Sequence, residues 1–148
     1  MSTEARCSDP RVARIVTAFE QLQRDDVPGL AALYAEQARF KDPFNEVQGA
    51  AAIQAIFAHM FVALNEPRFE VRDIIVQGDQ CFLSWDFIFR FKRFSNALQT
   101  VRGSSHLKLD AKGRITLHRD YWDAAEELYE KLPVVASLMR WLKRRANS

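Results

Sequence analysis

The segment "RFEVRDIIVQGDQCFLSWDFIFRF", residues 68–91, decides the fold class of this chain. Its first part is rich in β-forming residues and ends at Gly78-Asp79, a dipeptide typical of a hairpin turn. Beyond that turn, residues 80–94 alternate between two faces with a period of two. The aromatic face comprises Trp85, Phe87, Phe89 and Phe91. This period is typical of a β-strand with one buried face, so the segment predicts a hairpin of two long antiparallel strands.

The strand pattern continues toward the C-terminus. Ser95-Asn96 and residues 110–113 offer two further turns, which separate predicted strands at 97–109 and 114–122. The result is a meander of four antiparallel strands. A helical period returns at Asp123, and Pro133 is expected to kink or divide that C-terminal helix.

Upstream of the meander the pattern is helical. Apolar spacing predicts helices over 11–24 and 50–64, the first of them capped by Asp9-Pro10. A short helix from Asp26 to Tyr34 and an extended segment over 38–44 lie between them. Because the helices are segregated from an antiparallel sheet, we predict an α+β domain over 11–148, preceded by a polar leader over 1–10.

Composition excludes several classes of protein. The chain has 148 residues and a net charge of +2, without the basic face of a nucleic-acid binder. Two cysteines are too few for a disulfide framework and predict free thiols in a reducing compartment. The sequence contains no run of about 18 apolar residues, so it predicts no membrane span. The first ten residues lack the apolar segment of a signal peptide. We therefore expect a cytoplasmic protein without a metal site.

The basic tail is the one concentrated positive charge. Its cations are Arg140, Lys143, Arg144 and Arg145. They belong to an amphipathic stretch, residues 132–145, and cations at a helix C-terminus are favoured by the helix dipole. We expect this helix to cover a pocket mouth or contact a partner, in preference to a membrane surface.

A second stretch, "DDVPGLAALYAEQARFKDPFNEVQGAAAIQAIF" at residues 25–57, resembles the nuclear transport factor 2-like superfamily, in particular its SnoaL-like and ketosteroid isomerase-like branches. The matching elements are Asp26, Gly29, Leu33 to Ala35, Asp42-Pro43, Gly49 and Ala52-Ile53. "GRITLHRDYWD", residues 113–123, is similar to the last strand of SnoaL-like proteins. The resemblance implies a curved, cone-shaped antiparallel sheet whose inner face and helices enclose a pocket, and a homodimer.

Asp42 is the first candidate catalytic residue. The resemblance to ketosteroid isomerases implies that the aspartate of the Asp-Pro pair is a general base beside a carbonyl. The positions that match the two oxyanion donors of those enzymes hold Ala18 and Ser105. Without such donors we do not expect ordinary steroid isomerase activity. The alternative is that Asp42 forms a turn before Pro43.

Asp120 is the second candidate, because His118, Asp120 and Trp122 share one face at a period of two. The resemblance to SnoaL-type polyketide cyclases implies that this aspartate is the acid/base of an aldol closure, assisted by His118. Alternatively, Asp120 forms an ion pair with Arg119 or Arg102, or caps neighbouring backbone groups. Strict alternation places Ser105 inside and His106 outside, unless a β-bulge reverses them. A catalytic network of Asp86, Arg102 and Asp120, as in limonene epoxide hydrolases, is disfavoured because Asp86 lies opposite Trp85.

The aromatic residues are predicted to be core, pocket wall, or both. As pocket wall they suit a small apolar ligand. The predicted wall consists of Phe40, Phe44, Phe57, Phe61, Trp85, Phe87, Phe89, Ser105 and Trp122. The leading hypothesis is a cofactor-independent isomerase or cyclase that moves a proton on an apolar carbonyl compound. The alternatives are a non-catalytic binding protein for a hydrophobic ligand, and a dimerisation scaffold that uses the outer sheet face around Ile88.

Overall fold

The computed structural model describes residues 6–93, 96–127, 141–142 and 144–146. Three helices with two strands between them come first, a run of four long strands follows, and a short helix comes after the strands. This order confirms the predicted α+β class. In chain order the elements are α1 (Pro10–Glu20), a 3-10 helix (Arg24–Leu33), β1 (Tyr34–Lys41), β2 (Glu46–Gln48), α2 (Ala50–Ala63), β3 (Leu64–Gln77), β4 (Gln80–Phe91), β5 (Leu98–Leu109), β6 (Ile115–Tyr121) and α3 (Ala124–Glu127).

The strands form one curved, unclosed sheet in the order β2-β1-β6-β5-β4-β3. The meander β3 to β6 is antiparallel throughout, as predicted. The β1–β6 pair is parallel, with Tyr34 opposite Ile115 and Phe40 opposite His118. The sequence pattern made no prediction about this pair, and the parallel direction is added by the structure. Periodicity shows which residues share a face, but it carries no information about the direction of a strand paired across the whole meander.

Several element boundaries differ from the predicted ones. Helix α1 ends at Glu20 instead of residue 24, and β4 ends at Phe91 instead of residue 94. The segment predicted as a short helix over 26–34 is a 3-10 helix, Arg24–Leu33, and β1 begins at Tyr34 instead of residue 38. Strand β3 begins at Leu64 and contains Pro67. The ladder is irregular between Asn65 and Arg68, and Glu66 has a φ of 52°. A proline in such a bulge interrupts no ladder hydrogen bond, so it does not end the strand.

Helix α1 begins as its sequence predicts. The Asp9 side chain accepts a hydrogen bond from the backbone nitrogen of Arg11 at 2.9 Å, and Pro10 occupies the first turn. Residues 6–9, which the sequence assigns to the leader, are held against the domain. The Arg6 guanidinium contacts Glu20 at 2.6 Å and donates to the Val71 carbonyl at 2.8 Å.

At the other end, helix α3 begins where the helical period returns. Asp123 caps it by accepting from the backbone nitrogens of Ala125 and Glu126, at 3.0 and 3.1 Å. The predicted kink at Pro133 and the predicted role of most of the basic tail lie outside the described residues. Of the helices described, none is long and apolar enough to cross a membrane.

The core lies between the inner sheet face and helices α1 and α2. Its largest fully buried side chains are Phe89, Ile15, Ile53, Leu107, Ile115, Val12, Val16 and Cys81. Burial of one such aliphatic or aromatic side chain contributes about 1.5–3 kcal/mol. The aromatic face of β4 points into this core, so the alternation predicted for that strand is correct.

Cys7 and Cys81 are both buried free thiols. Burial raises the pKa of the Cys81 thiol from its ordinary 9.0 to about 12. Above about pH 9 the unfolded chain loses this proton while the folded chain keeps it, so stability falls as pH rises toward about 12.

We therefore expect Cys81→Ala to reduce the alkaline loss of stability. Between about pH 9 and 11 the parent chain should lose on the order of 1 kcal/mol per pH unit, because the thiol of the unfolded chain ionises there while that of the folded chain does not. The variant should show a flatter profile in urea titrations over that range. Parallel pH profiles for the two proteins would contradict this assignment.

Candidate functional site

The inner face of the sheet and helix α2 border a cavity of about 330 Å³, a size at the lower end of small-molecule sites. Most of its wall is aromatic. The rings are Phe40, Phe44, Phe57, Phe69, Trp85, Phe87, Phe89, Phe91 and Trp122. Its polar side chains are Asp42, Asn45, His59 and Asp120. Phe44 is half exposed and meets Trp122 edge to face at 5.5 Å, which places this pair at the mouth.

The predicted wall residues divide between three places. Seven of them border this cavity: Phe40, Phe44, Phe57, Trp85, Phe87, Phe89 and Trp122. Ser105 borders a smaller recess, and Phe61 borders neither space. Phe61 is buried in the core, one turn beyond Phe57 on α2, where Arg24 of the 3-10 helix donates to its backbone carbonyl at 2.8 Å.

Phe69 is a wall residue that the sequence pattern does not single out. It pairs with Phe87 across β3 and β4, and the two rings stack at 4.7 Å. The signal available in the sequence was the hairpin register, which sets these two aromatic residues opposite each other. The bulges in β3 obscure that register.

A narrow recess of about 30 Å³ lies beside the cavity, room for about one water molecule. Its polar boundary is formed by Ser105, His118 and Asp120, and the rest is apolar. Asp120 borders both spaces. Its carboxylate is therefore the polar group that connects the recess with the aromatic cavity.

Asp120 is the acceptor at the end of a buried hydrogen-bond network. Ser105 Oγ donates to Asp120 Oδ1 at 2.5 Å, and Trp85 Nε1 donates to Ser105 Oγ at 2.9 Å. His118 Nε2 lies 2.7 Å from the same Oδ1. The other ring nitrogen of His118, Nδ1, lies 2.7 Å from the Tyr34 hydroxyl. Strands β1, β4, β5 and β6 each contribute to this network.

The proton positions follow from Tyr34. Its burial, and secondly the charge of Asp120, raise the pKa of Tyr34 well above its usual range, so the phenol keeps its proton. The Tyr34 hydroxyl then donates to His118 Nδ1, which places the imidazole proton on Nε2, where it donates to Asp120 Oδ1. Asp120 Oδ2 forms no hydrogen bond with the part of the chain described.

The face predicted for the last strand is correct, since His118 borders the recess, Trp122 borders the cavity and Asp120 borders both. His106 lies on the outer face, stacked on Phe82 at 4.2 Å, with its Nε2 2.9 Å from Gln80 Oε1. The ladder runs without interruption through Ser105 and His106, so no bulge reverses them. Burial, with a smaller effect of Lys108, lowers the pKa of His106.

Asp42 borders the cavity, but its carboxylate is engaged in a turn. Its Oδ1 accepts from the backbone nitrogens of Phe44 and Asn45, at 2.8 and 2.6 Å, and both of its oxygens contact the Asn45 amide. This is the Asx-turn arrangement in which aspartate replaces a backbone turn. The local geometry therefore favours the turn-forming alternative for Asp42.

Other acid–base arrangements considered from the sequence do not form. Asp86 pairs with Arg72 at 2.6 Å and Arg102 with Glu127 at 3.0 Å, away from Asp120. An Asp–Arg–Asp network is thus absent among the described residues. The expectation of an Asp120–Arg119 pair is also wrong, because the Arg119 guanidinium lies over the Tyr121 ring at 4.7 Å.

The positions that match the oxyanion donors of ketosteroid isomerases supply no strong donor. Ala18 is partly buried against the core, and Ser105 donates its proton to Asp120. In the described residues, no three His, Cys, Asp or Glu side chains are grouped so that they could hold a metal ion.

The profile of the SnoaL-like domain family matches residues 12–118. No curated protein matches the sequence. Solved structures of low identity share the fold. A ketosteroid isomerase-like protein from Catenulispora acidiphila, in complex with trimethylamine, superposes with a TM-score of 0.71 at 16% identity, over 84% of this chain and 94% of that one.

Two further structures are similar at the same level. One is a limonene epoxide hydrolase-like epoxide hydrolase from M. tuberculosis. It superposes with a TM-score of 0.65 at 18% identity, over 94% of this chain and 98% of that one. A protein assigned as a SnoaL-like polyketide cyclase from a Jannaschia species has a TM-score of 0.65 at 16% identity, over 78% and 87%. Identities this low establish the fold alone.

Proposed function

Because the chain belongs to the SnoaL-like domain family, we propose that it is a cofactor-independent isomerase or cyclase that moves a proton on an apolar carbonyl compound. The observation that carries this proposal is Asp120, a residue of the cavity wall whose Oδ1 is held by His118 and Ser105 while its Oδ2 forms no hydrogen bond with the described residues. A carboxylate oxygen so placed can remove an acidic C–H proton next to a carbonyl and return it to carbon or oxygen.

Each neighbour of Asp120 has a defined part in this proposal. Ser105 and His118 fix the orientation of the carboxylate, and Tyr34 fixes the tautomer of His118. The aromatic wall excludes water, which strengthens the electrostatic interactions of the carboxylate with a bound substrate. Trp122 and Phe44 define the mouth through which such a substrate enters.

The proposal is tested by proton exchange in D2O. A panel of small apolar ketones and 1,3-dicarbonyl compounds is incubated with the protein, and deuterium incorporation next to the carbonyl is followed by NMR. We expect incorporation above the uncatalysed rate for at least one compound that also raises the melting temperature. A compound that stabilises the protein without any exchange would contradict catalysis and favour the non-catalytic binding alternative.

We also propose that the chain forms a homodimer through the outer face of the sheet. The interface is centred on Phe82 and not on Ile88, which the sequence pattern singled out but which is only 6% exposed. Ile75, Phe82, His106 and Arg119 lie in one row across β3 to β6, and Ile75 and Phe82 are 64% and 45% exposed. Exposed apolar residues in one row are typical of an interaction surface. Asp73 lies near one end of the row and Arg119 lies at the other. A two-fold dimer in which the two rows run in opposite directions would therefore place Asp73 of each protomer near Arg119 of its partner.

Phe82→Glu should convert this dimer to a monomer, because it replaces one of the two exposed apolar side chains of the row by a charged one. Sedimentation velocity measures the change. Val62→Glu is the matched control, since Val62 on α2 is 60% exposed and lies away from the sheet face. Equal sedimentation of the parent chain and Phe82→Glu would refute this interface.

A cytoplasmic location is also proposed, on the basis of the two buried free thiols. Fractionation of cells that express the tagged chain tests it. Recovery in an oxidising compartment would contradict it.

A further inference from the structure

The cavity is unbalanced in charge. Among the residues that border it, the ionisable side chains are Asp42, His59 and Asp120, and none is lysine or arginine. The wall is otherwise made of aromatic rings and aliphatic groups. The faces of aromatic rings carry partial negative charge, so the wall and the two carboxylates have the same sign.

The charge of Asp120 is met by hydrogen bonds from groups that are neutral in the arrangement described. Ser105 donates a neutral hydroxyl, and His118 donates Nε2–H while its Nδ1 accepts from Tyr34. The buried Tyr34 proton has its acceptor in His118 Nδ1 in this arrangement, and an unsatisfied buried donor would cost about 1–3 kcal/mol.

We propose that this cavity binds an apolar organic ammonium ion, with its N–H directed to Asp120 Oδ2 and its substituents among the rings. A charged donor makes a stronger hydrogen bond to a carboxylate than a neutral donor does. Indole faces are the best aromatic partners of a cation, and Trp85 and Trp122 both border the cavity with Asp120. An anion of the same shape would lose its hydration without gaining a counter-charge.

The proposal concerns the site of the proposed function, and such an ammonium ion would compete there with the carbonyl substrate. Three probes of matched shape separate charge from size: N,N-dimethylbenzylamine, its neutral isostere isobutylbenzene, and the anion phenylacetate. Each contains one ring and a short branch, so each is small enough for a cavity of about 330 Å³. Dissociation constants are measured by calorimetry near neutral pH.

We expect the amine to bind about 10- to 100-fold more tightly than isobutylbenzene, with phenylacetate weakest. Asp120→Asn should remove most of this preference and leave the affinity for isobutylbenzene unchanged. Trp122→Leu should reduce the preference for the amine severalfold. This second variant tests the proposal even if Asp120→Asn does not fold. Asp86→Asn, on the outer face, is the matched control and should leave the preference intact.

Equal affinity for the amine and isobutylbenzene, or no measurable binding of the amine, would overturn the inference. So would a preference that survives both Asp120→Asn and Trp122→Leu. Failure here is distinguishable from failure of the proposed function. Deuterium exchange without amine preference refutes only the ammonium site, and amine preference without exchange refutes only the proton-transfer activity.

Discussion

Replacement of Asp120 by Asn should lower the rate of deuterium exchange by about 10²- to 10⁴-fold, the usual contribution of a positioned acid or base. An amide has no lone pair basic enough to remove a C–H proton, so the chemical step is lost. The amide oxygen can still accept from Ser105 and His118 in place of Oδ1, so the network and the fold should persist. The measurement is the initial exchange rate at saturating ketone, beside an unfolding curve for each protein.

Two other aspartates provide matched controls for that substitution. Asp86→Asn changes a carboxylate on the outer face that pairs with Arg72, and it should leave exchange unchanged. Asp42→Asn keeps a side chain that can form the same turn, so it should change the rate by less than about threefold. If Asp42→Asn lowered the exchange rate as much as Asp120→Asn, the result would indicate that Asp42 is the general base.

The periodicity of the sequence was sufficient for the inner face of the sheet. A period of two fixes the face of every residue in an uninterrupted strand, which is why Trp85, Phe87, Phe89 and the His118–Asp120 pair were predicted on the correct side. It also placed His106 outside without any knowledge of its neighbours. The C-terminal boundary of the meander followed from the change to a helical period at Asp123.

The rest of the site depends on contacts between distant residues. Tyr34 and His118 are 84 residues apart and meet because β1 pairs in parallel with β6, a pairing that no local pattern encodes. Tyr34 was instead predicted as the last residue of a short helix. The residues before it do form a helix, of the 3-10 type, but this helix ends at Leu33 and Tyr34 begins β1. For Asp42, the resemblance suggested a base, whereas in the structure its Oδ1 accepts hydrogen bonds from the backbone nitrogens of Phe44 and Asn45.

Among the five glycines, Gly103 is the one at which an added side chain would meet the closest contact. A Cβ atom there would lie 2.5 Å from Trp85 Cη2 and 2.9 Å from both Cζ2 and Cζ3. The indole cannot move away freely, because its Nε1 donates to Ser105 and its ring meets Phe69 edge to face at 5.8 Å. The missing side chain of Gly103 is therefore what lets Trp85 lie flat across β5 and reach Ser105.

Gly103→Ala should accordingly lower the free energy of unfolding by about 1–3 kcal/mol, the usual cost of overpacking a closely packed interior. The midpoint of urea denaturation measures this loss. Gly29→Ala is the matched control, because a Cβ at Gly29 meets nothing within 4 Å, and it should be neutral or slightly stabilising. The contrast between the two glycines separates steric overlap from the general effect of replacing glycine.

A double-mutant cycle with Trp85→Phe identifies the indole as the cause. The phenyl ring lacks the outer six-membered ring of the indole, whose Cη2, Cζ2 and Cζ3 atoms would meet the new Cβ. In the Trp85→Phe background, Gly103→Ala should therefore cost much less, with a coupling energy of about 1–2 kcal/mol. An equal cost in both backgrounds would show that the strand backbone, and not the Trp85 indole, excludes a side chain at Gly103.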